Sequence, residues 1–262
     1  MQLDLDDKTV FIAGASRGIG FGIARAFLRE GAKVALTARG ETSLKEAVAA
    51  LAPEAKSAGH ITSYAGDLTD SAVIAAALDH TQKTLGPLHV AVANVGLGKA
   101  PLGFEVSDDL WEADIAQNLT GSMYVAREAL RRILARPAEE REDANLIMIA
   151  SIAGIDAMGS SLTYGATKAG LIHATKAMAK LVGNEGVRVN AIAPGNIIFE
   201  GGSWEKNMQD RPEAWTRWLK REVALRRFGT VDEIGDAALY LASPRASFVT
   251  GECLVVDGGQ LK

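Results

Sequence analysis

Tyr164 and Lys168 stand four residues apart, so on a helix a phenol and an ammonium share one face and one small volume. A phenol titrates near ~10 and is a poor acid-base group at neutral pH, but a cation held close favours the phenolate and lowers its pKa. Ser151 could hold a carbonyl oxygen beside that phenol, which makes proton transfer at a carbonyl or alcohol oxygen the chemistry on offer. Tyr and Lys at this spacing also occur on ordinary surface helices, so the surroundings have to decide. Before Ser151 runs ANLIMIA, short and apolar like a buried strand, and after it comes the turn Gly154 to Gly159. The serine therefore falls just past a strand's carboxyl end, where open α/β sheets bind ligands.

A second chemical signal lies near the start of the chain. Residues 8–13 (KTVFIA) read as a strand, GASRGIG follows, and GFGIARAFLREG has helical period with Gly31 as its C-cap signal. In that context Gly14, Gly18 and Gly20 would give a tight turn, close approach of backbone N–H groups to a pyrophosphate, and close packing of helix on strand. The second strand, KVALTA, ends at Ala38 and Arg39, with no acid until Glu41. An acid there would accept from a ribose 2′-hydroxyl, whereas an arginine accommodates a 2′-phosphate. Arg17, inside the glycine turn, offers a second guanidinium fork for the same phosphate. The expectation is NADP rather than NAD; the alternative is that both arginines are merely solvated.

The elements that must position these residues alternate along the chain. A helix around 41–51 stops near Pro53, and HITSYAGDLTD leads as a strand into Asp67, with Thr69 or Asp70 capping the next helix. Asp67 could accept from an adenine amino group, or serve as another cap. Residues 88–93 form a fourth strand leading into Asn94, Val95 and Gly96. A long helical region over roughly 107–135 is interrupted on its apolar face by Asn118, and a buried Asn needs partners. GVRVNAIAPG is a sixth strand ending at Pro194 and Gly195, and a helix near 231–242 and the strand ECLVVDGG close the chain. Alternation throughout implies a parallel sheet with helices on both faces.

The segment 196–222 breaks the alternation and holds Trp204, Trp215 and Trp218. Phe199, Met208 and Leu219 add apolar surface, and Gly201 and Gly202 supply a hinge, so the segment reads as a lid over a substrate with a sizeable apolar portion. Packing of its own helices onto the body is the alternative. Arg211, Lys220 and Arg221 leave open an anionic carrier such as an acyl thioester.

Composition excludes much else. A net charge of −4 argues against a nucleic-acid or anionic-membrane partner, and 48% hydrophobic content suffices for a sizeable core. MQLDLDDK has no apolar core for a signal peptide, and no apolar run approaches the ~18 residues of a membrane span, so the chain is expected in the cytoplasm. Cys253 is the single cysteine, and His60, His80, His89 and His173 lack ligand spacing; no metal is expected, and structural or surface placement is.

From Lys8 to Gly259 the chain resembles the classical short-chain dehydrogenase/reductase family, in particular its 3-oxoacyl-[acyl-carrier-protein] reductase-like members. The glycine motif of that family matches Gly14-Ala15-Ser16-Arg17-Gly18-Ile19-Gly20, and its catalytic set matches Asn118, Ser151, Tyr164 and Lys168. Asp67, Leu68, Asn94, Gly96, Pro194, Gly195 and Ile197 fall at further cofactor positions. The resemblance implies one Rossmann domain over 1–262, a doubly wound sheet of about seven strands, and a homo-oligomer, usually a tetramer and otherwise a dimer, built through the helices carrying Asn118 and Tyr164. It implies hydride transfer between NADP(H) and a carbonyl or secondary alcohol, with Tyr164 as proton donor and Ser151 orienting the oxygen. Lys168 would lower the phenol pKa and hold the ribose, and Asn118 would anchor a water. Phe199, Trp204 and Met208 join Ser151 and Tyr164 as expected substrate contacts. A β-ketoacyl thioester reductase, a catabolic NAD(P)-dependent alcohol dehydrogenase and a non-catalytic NADP-sensing protein are the alternatives. Three positions depart from the family pattern: Ala13 replaces a Thr, Ala93 an Asn, and Phe199 a Thr near the nicotinamide amide, so that group is expected to be held either in a different way or mainly by the backbone at Ile197.

Overall fold

Five- to seven-residue runs of Val, Ile, Leu and Ala, too apolar for a half-exposed strand, build the centre of the protein. The computed structural model describes residues 3–96, 102–141 and 143–261, so Met1 and Gln2 of the acidic start lie outside it. The main strands are β1 (Thr9–Ala13), β2 (Lys33–Ala38), β3 (Ile61–Ala65), β4 (Leu88–Ala93), β5 (Asn145–Ile149), β6 (Arg188–Pro194) and, numbered in chain order after a short pair, β9 (Cys253–Val256). They form one seven-stranded parallel sheet in the order β3-β2-β1-β4-β5-β6-β9. The two-residue strands β7 (Ile197–Ile198) and β8 (Gly229–Thr230) pair separately.

Strand order reverses between β1 and β4, and because every strand of the sheet is parallel, all their carboxyl ends meet along one edge. That reversal opens the crevice in which doubly wound sheets take ligands. Helices α1 (Gly18–Arg29), α2 (Glu41–Leu51) and α9 (Val231–Ala242) pack their apolar faces on one side, in a core holding Ile12, Phe27 and Leu36. On the other side α3 (Ser71–Leu85), α5 (Gly121–Leu134) and α6 (Leu162–Val182) pack in a core holding Phe11, Leu78 and Ile133. Burying these side chains contributes about 1.5–3 kcal/mol each, which opposes the ordering entropy of the chain.

The long helical region expected around Asn118 is α4 (Asp108–Ile115) running through one π turn, Ala116–Thr120, into α5. Such widened turns mark functional positions more often than chance. Among the described residues no helix is long and apolar enough to cross a membrane. His89 is structural, accepting from the Thr9 N–H at 3.1 Å, and half-buried Cys253 packs against the second core.

Candidate active site

Tyr164 is fixed by its own helix. Ser161 caps α6 by accepting from the Tyr164 N–H at 3.2 Å, and Thr167 Oγ1 donates to the Tyr164 carbonyl at 2.8 Å. One turn further Lys168 is 4% exposed, with its Nζ donating to the Ile149 carbonyl at the end of β5 at 2.9 Å. The ammonium lies 5.7 Å from the phenol ring centre, so the sequence spacing does bring the two groups together. Ser151 follows β5 directly and caps the short turn Ile152–Gly154, its Oγ accepting from the Ala153 N–H at 3.2 Å.

The net shift of the Tyr164 phenol in this structure is upward. Burial pushes Tyr164 up, the Ser151 hydroxyl opposes the rise, and the Asp114 carboxylate adds to it. Lys168 is itself drawn down to about 8 by burial, with Asp114 opposing.

The glycine turn is shaped as its residues require. Gly14 has φ +67°, and a Cβ on Gly20 would stand 2.3 Å from the Gly14 carbonyl oxygen, so a side chain there would close the turn. Asn94 Nδ2 donates to that same carbonyl at 3.0 Å and ties the end of β4 to the turn. A single cavity of about 1500 Å³ runs from this turn across the sheet edge to the segment after β6. Gly14, Ser16, Arg17, Gly18 and Ile19 line one end with Arg39 and Leu68; Asn94, Gly96, Ser151 and Tyr164 line the middle; Gly195, Ile197, Phe199 and Trp204 line the other end. Arg17 and Arg39 are exposed at its rim, and neither guanidinium has an ion-pair partner among the described residues.

Other expected positions support the cavity without lining it. Asn118, Lys168, Gly20 and Pro194 are buried behind its wall. Asp67 Oδ1 accepts from both the N–H and the hydroxyl of Thr69, each at 2.9 Å, while Asp70 caps α3. Met208 joins an aromatic cluster and is not a wall residue: Trp204 meets Trp215 edge-on at 5.1 Å, stacks on Trp218 at 6.2 Å and lies 5.4 Å from Phe228. These side chains hold α7 (Ser203–Asp210) and α8 (Pro212–Glu222) together, while Trp204 and Trp218 also reach the cavity. The Phe199 ring lies over the glycine turn, 2.9 Å from where a Cβ on Gly18 would stand.

Sequence reasoning missed two side chains. Gln260 is buried against Gly195, its Oε1 without a hydrogen-bond partner among the described residues, and its signal, a polar residue after the terminal glycines, is weak. Asp114 accepts from Asn118 Nδ2 at 2.7 Å; its signal was an acid one helical turn before the buried Asn.

The arrangement fits a nicotinamide dinucleotide: a cradle that a side chain would fill, two cations without ion-pair partners among the described residues at one end, and a phenol, serine and lysine at the middle. Comparison with known proteins agrees. A family model described as enoyl-(acyl carrier protein) reductase matches residues 14–260. The 3-oxoacyl-[acyl-carrier-protein] reductase FabG of Chlamydia muridarum is 35% identical, covering 97% of this chain and 98% of its own. The solved structure of L-sorbose reductase from Gluconobacter frateurii, complexed with NADPH and L-sorbose, superposes with a TM-score of 0.90 at 27% identity, covering 100% of this chain and 99% of that one. A mutant short-chain dehydrogenase/reductase of Serratia marcescens does so with a TM-score of 0.82 at 27% identity, covering 98% of each chain.

Proposed function

Because the chain belongs to the short-chain dehydrogenase/reductase family, we propose that it is an NADP(H)-dependent oxidoreductase acting on a carbonyl or secondary alcohol whose preferred substrate carries an apolar portion. The observation that carries this reading is one cavity shared by the glycine turn, Arg17, Arg39, Ser151 and Tyr164. Gly18 and Ile19 offer backbone N–H groups to a diphosphate, Arg17 and Arg39 take the 2′-phosphate, and Asn94, Gly96 and Ile197 border the remainder. The nicotinamide, when bound, supplies or accepts the hydride.

This chain's own part is proton chemistry and placement. In reduction the protonated Tyr164 gives its hydroxyl proton to the oxygen that becomes an alkoxide, and Ser151 Oγ donates a hydrogen bond to the same oxygen. Lys168, as an ammonium, favours the phenolate that Tyr164 leaves behind, so its charge acts when the proton is transferred rather than in the resting pair. In oxidation the same phenolate takes the proton back. Trp204 and Trp218 give the far end of the cavity its apolar wall, although their packing on Trp215 and Phe228 already accounts for much of their burial. A β-ketoacyl thioester is the second reading, favoured by the likeness to the Chlamydia reductase. Assembly as a tetramer or dimer through α4 and α6 is supported by exposed Leu110, Trp111 and Leu162 on those helices.

Steady-state rates on an aryl ketone, a medium-ring ketone, a β-ketoacyl thioester and a keto-sugar test this, with Tyr164→Phe and Trp204→Ala beside the wild type. Tyr164→Phe is expected to lose several orders of magnitude in kcat, on the scale known for groups that act jointly, while NADPH binding is retained. Retention of a tenth of wild-type kcat refutes the assignment of Tyr164. A preferred keto-sugar, or a Trp204 variant matching wild type on every substrate, refutes the apolar wall.

A further inference from the structure

Asp114, near the end of α4, and Asn118, inside the π turn that follows, are an i, i+4 pair, and Asn118 Oδ1 faces Gly96 after β4. Asp114 Oδ1 accepts from Asn118 Nδ2 at 2.7 Å. Its other oxygen, Oδ2, is buried with no hydrogen-bond partner among the described residues. A carboxylate with a dry, unsatisfied oxygen is costly unless a cation repays it. The cation that needs repayment is close by. Lys168 is 4% exposed, and its Nζ donates to the neutral carbonyl of Ile149. Gly96 joins the two residues, since a Cβ on it would stand 2.7 Å from Asn118 Oδ1 and 3.1 Å from Lys168 Nζ.

We propose that Asp114 is a positioning residue of this site: it sets the amide orientation of Asn118 and supplies the buried counter-charge of Lys168. The proposal rests on the oxidoreductase reading for its purpose and on the geometry for its existence. With Nδ2 committed to Asp114, the carbonyl oxygen of Asn118 is directed to Gly96 and the lysine. The groups facing Lys168 and Tyr164 are Asp114 and Asn118 from the helix before α5, Ser151 from the end of β5, and each other on α6; Asp114 is the carboxylate that acts on both. Removing its charge leaves burial of Lys168 unopposed, and the ammonium is lost at lower pH.

Asp114→Asn keeps the shape and a hydrogen bond to Asn118 and removes the charge. The direct readout is the side-chain NMR titration of Lys168 in the full chain, assigned with Lys168→Met and needing no substrate. The expected result is a midpoint near 8 in the wild type and about one to two units lower in Asp114→Asn. In turnover with NADPH, kcat/KM at pH 8 then falls about five-fold to fifty-fold, while by pH 5 the two proteins converge, because both lysines are charged there. A purely structural lesion would lower the rate at every pH. Identical Lys168 titrations in the two proteins overturn the proposal. If Asp114→Asn does not fold, the carboxyl carbon shift of Asp114 in the wild type decides: a carboxylate at pH 7 is required, and a protonated acid overturns it. A chain that shows the titration shift but turns over no carbonyl would refute the functional reading and leave the role of Asp114 standing.

Discussion

Replacing Arg39 with alanine removes one of two cations at the rim of the cavity and leaves Ser151 and Tyr164 untouched. A charge-assisted hydrogen bond contributes ~1.5–3 kcal/mol, and the exposure of Arg17 and Arg39 puts each near the lower end, since solvent screens them. About 1.5 kcal/mol corresponds to roughly ten-fold in kcat/KM for NADPH, and removal of both arginines to roughly a hundred-fold. NADH, which lacks the 2′-phosphate, should be unaffected by either change. Placing an acid at Ala38, the last residue of β2, should raise NADH use while repelling NADPH. The Asp67 carboxyl is held below its usual range first by the Thr69 N–H and, least among its causes, by Arg39. The assay is the initial rate of NADPH and NADH oxidation with one ketone at low and high salt. Screening over ~3 Å at 1 M salt should narrow the preference in the wild type and leave the double variant unchanged. Equal use of both cofactors by the wild type, or an equal loss with both cofactors in the Arg17→Ala, Arg39→Ala protein, would refute the reasoning.

Phe199→Thr removes the ring that lies over Gly18, so NADPH no longer has to displace it, and the Kd is expected to fall by about three-fold to ten-fold, as for removal of a binding-incompetent population. Fluorescence titration checks this, and a weaker Kd would mean that the ring supports the cofactor instead. His89, half-buried beneath the start of β1, is held neutral, its pKa drawn down to about 4 first by burial and then by Arg136. The unfolded chain binds this proton from about pH 6.5, so stability should decline as pH falls from about 6.5 to 4. Denaturant midpoints for wild type and His89→Gln over that range check it; parallel curves would show that other groups carry the pH dependence.

Period and punctuation made the fold legible. Uninterrupted apolar runs such as NLIMI and VFIA can be buried only between two helical layers, and a glycine turn between strand and helix has few other uses. The same logic placed Ser151, Tyr164 and the two arginines in one cavity, because each lies at a strand end or in the first turns after it. What stayed hidden depends on contacts between distant segments. Nothing local distinguishes Met208, which packs against the cluster of Leu219, Val223 and Phe228, from one facing a substrate, since both need an apolar residue on the same helix face. Spacing reports which charges are near but not how much water is excluded, and burial is the largest influence on the Tyr164 phenol, with the Ser151 hydroxyl opposing it. Asp114 shows the limit most sharply. Among the acids of DDLWEAD it looks like part of a solvated helix start, yet its carboxylate accepts from Asn118 one turn on. A regular α-helix keeps residues i and i+4 on one face but does not require that face to be the inner one. The buried amide of Asn118 and the buried ammonium of Lys168 supply that requirement, so Asp114 is an active-site residue only in the company of two others that the chain places 4 and 54 positions further on.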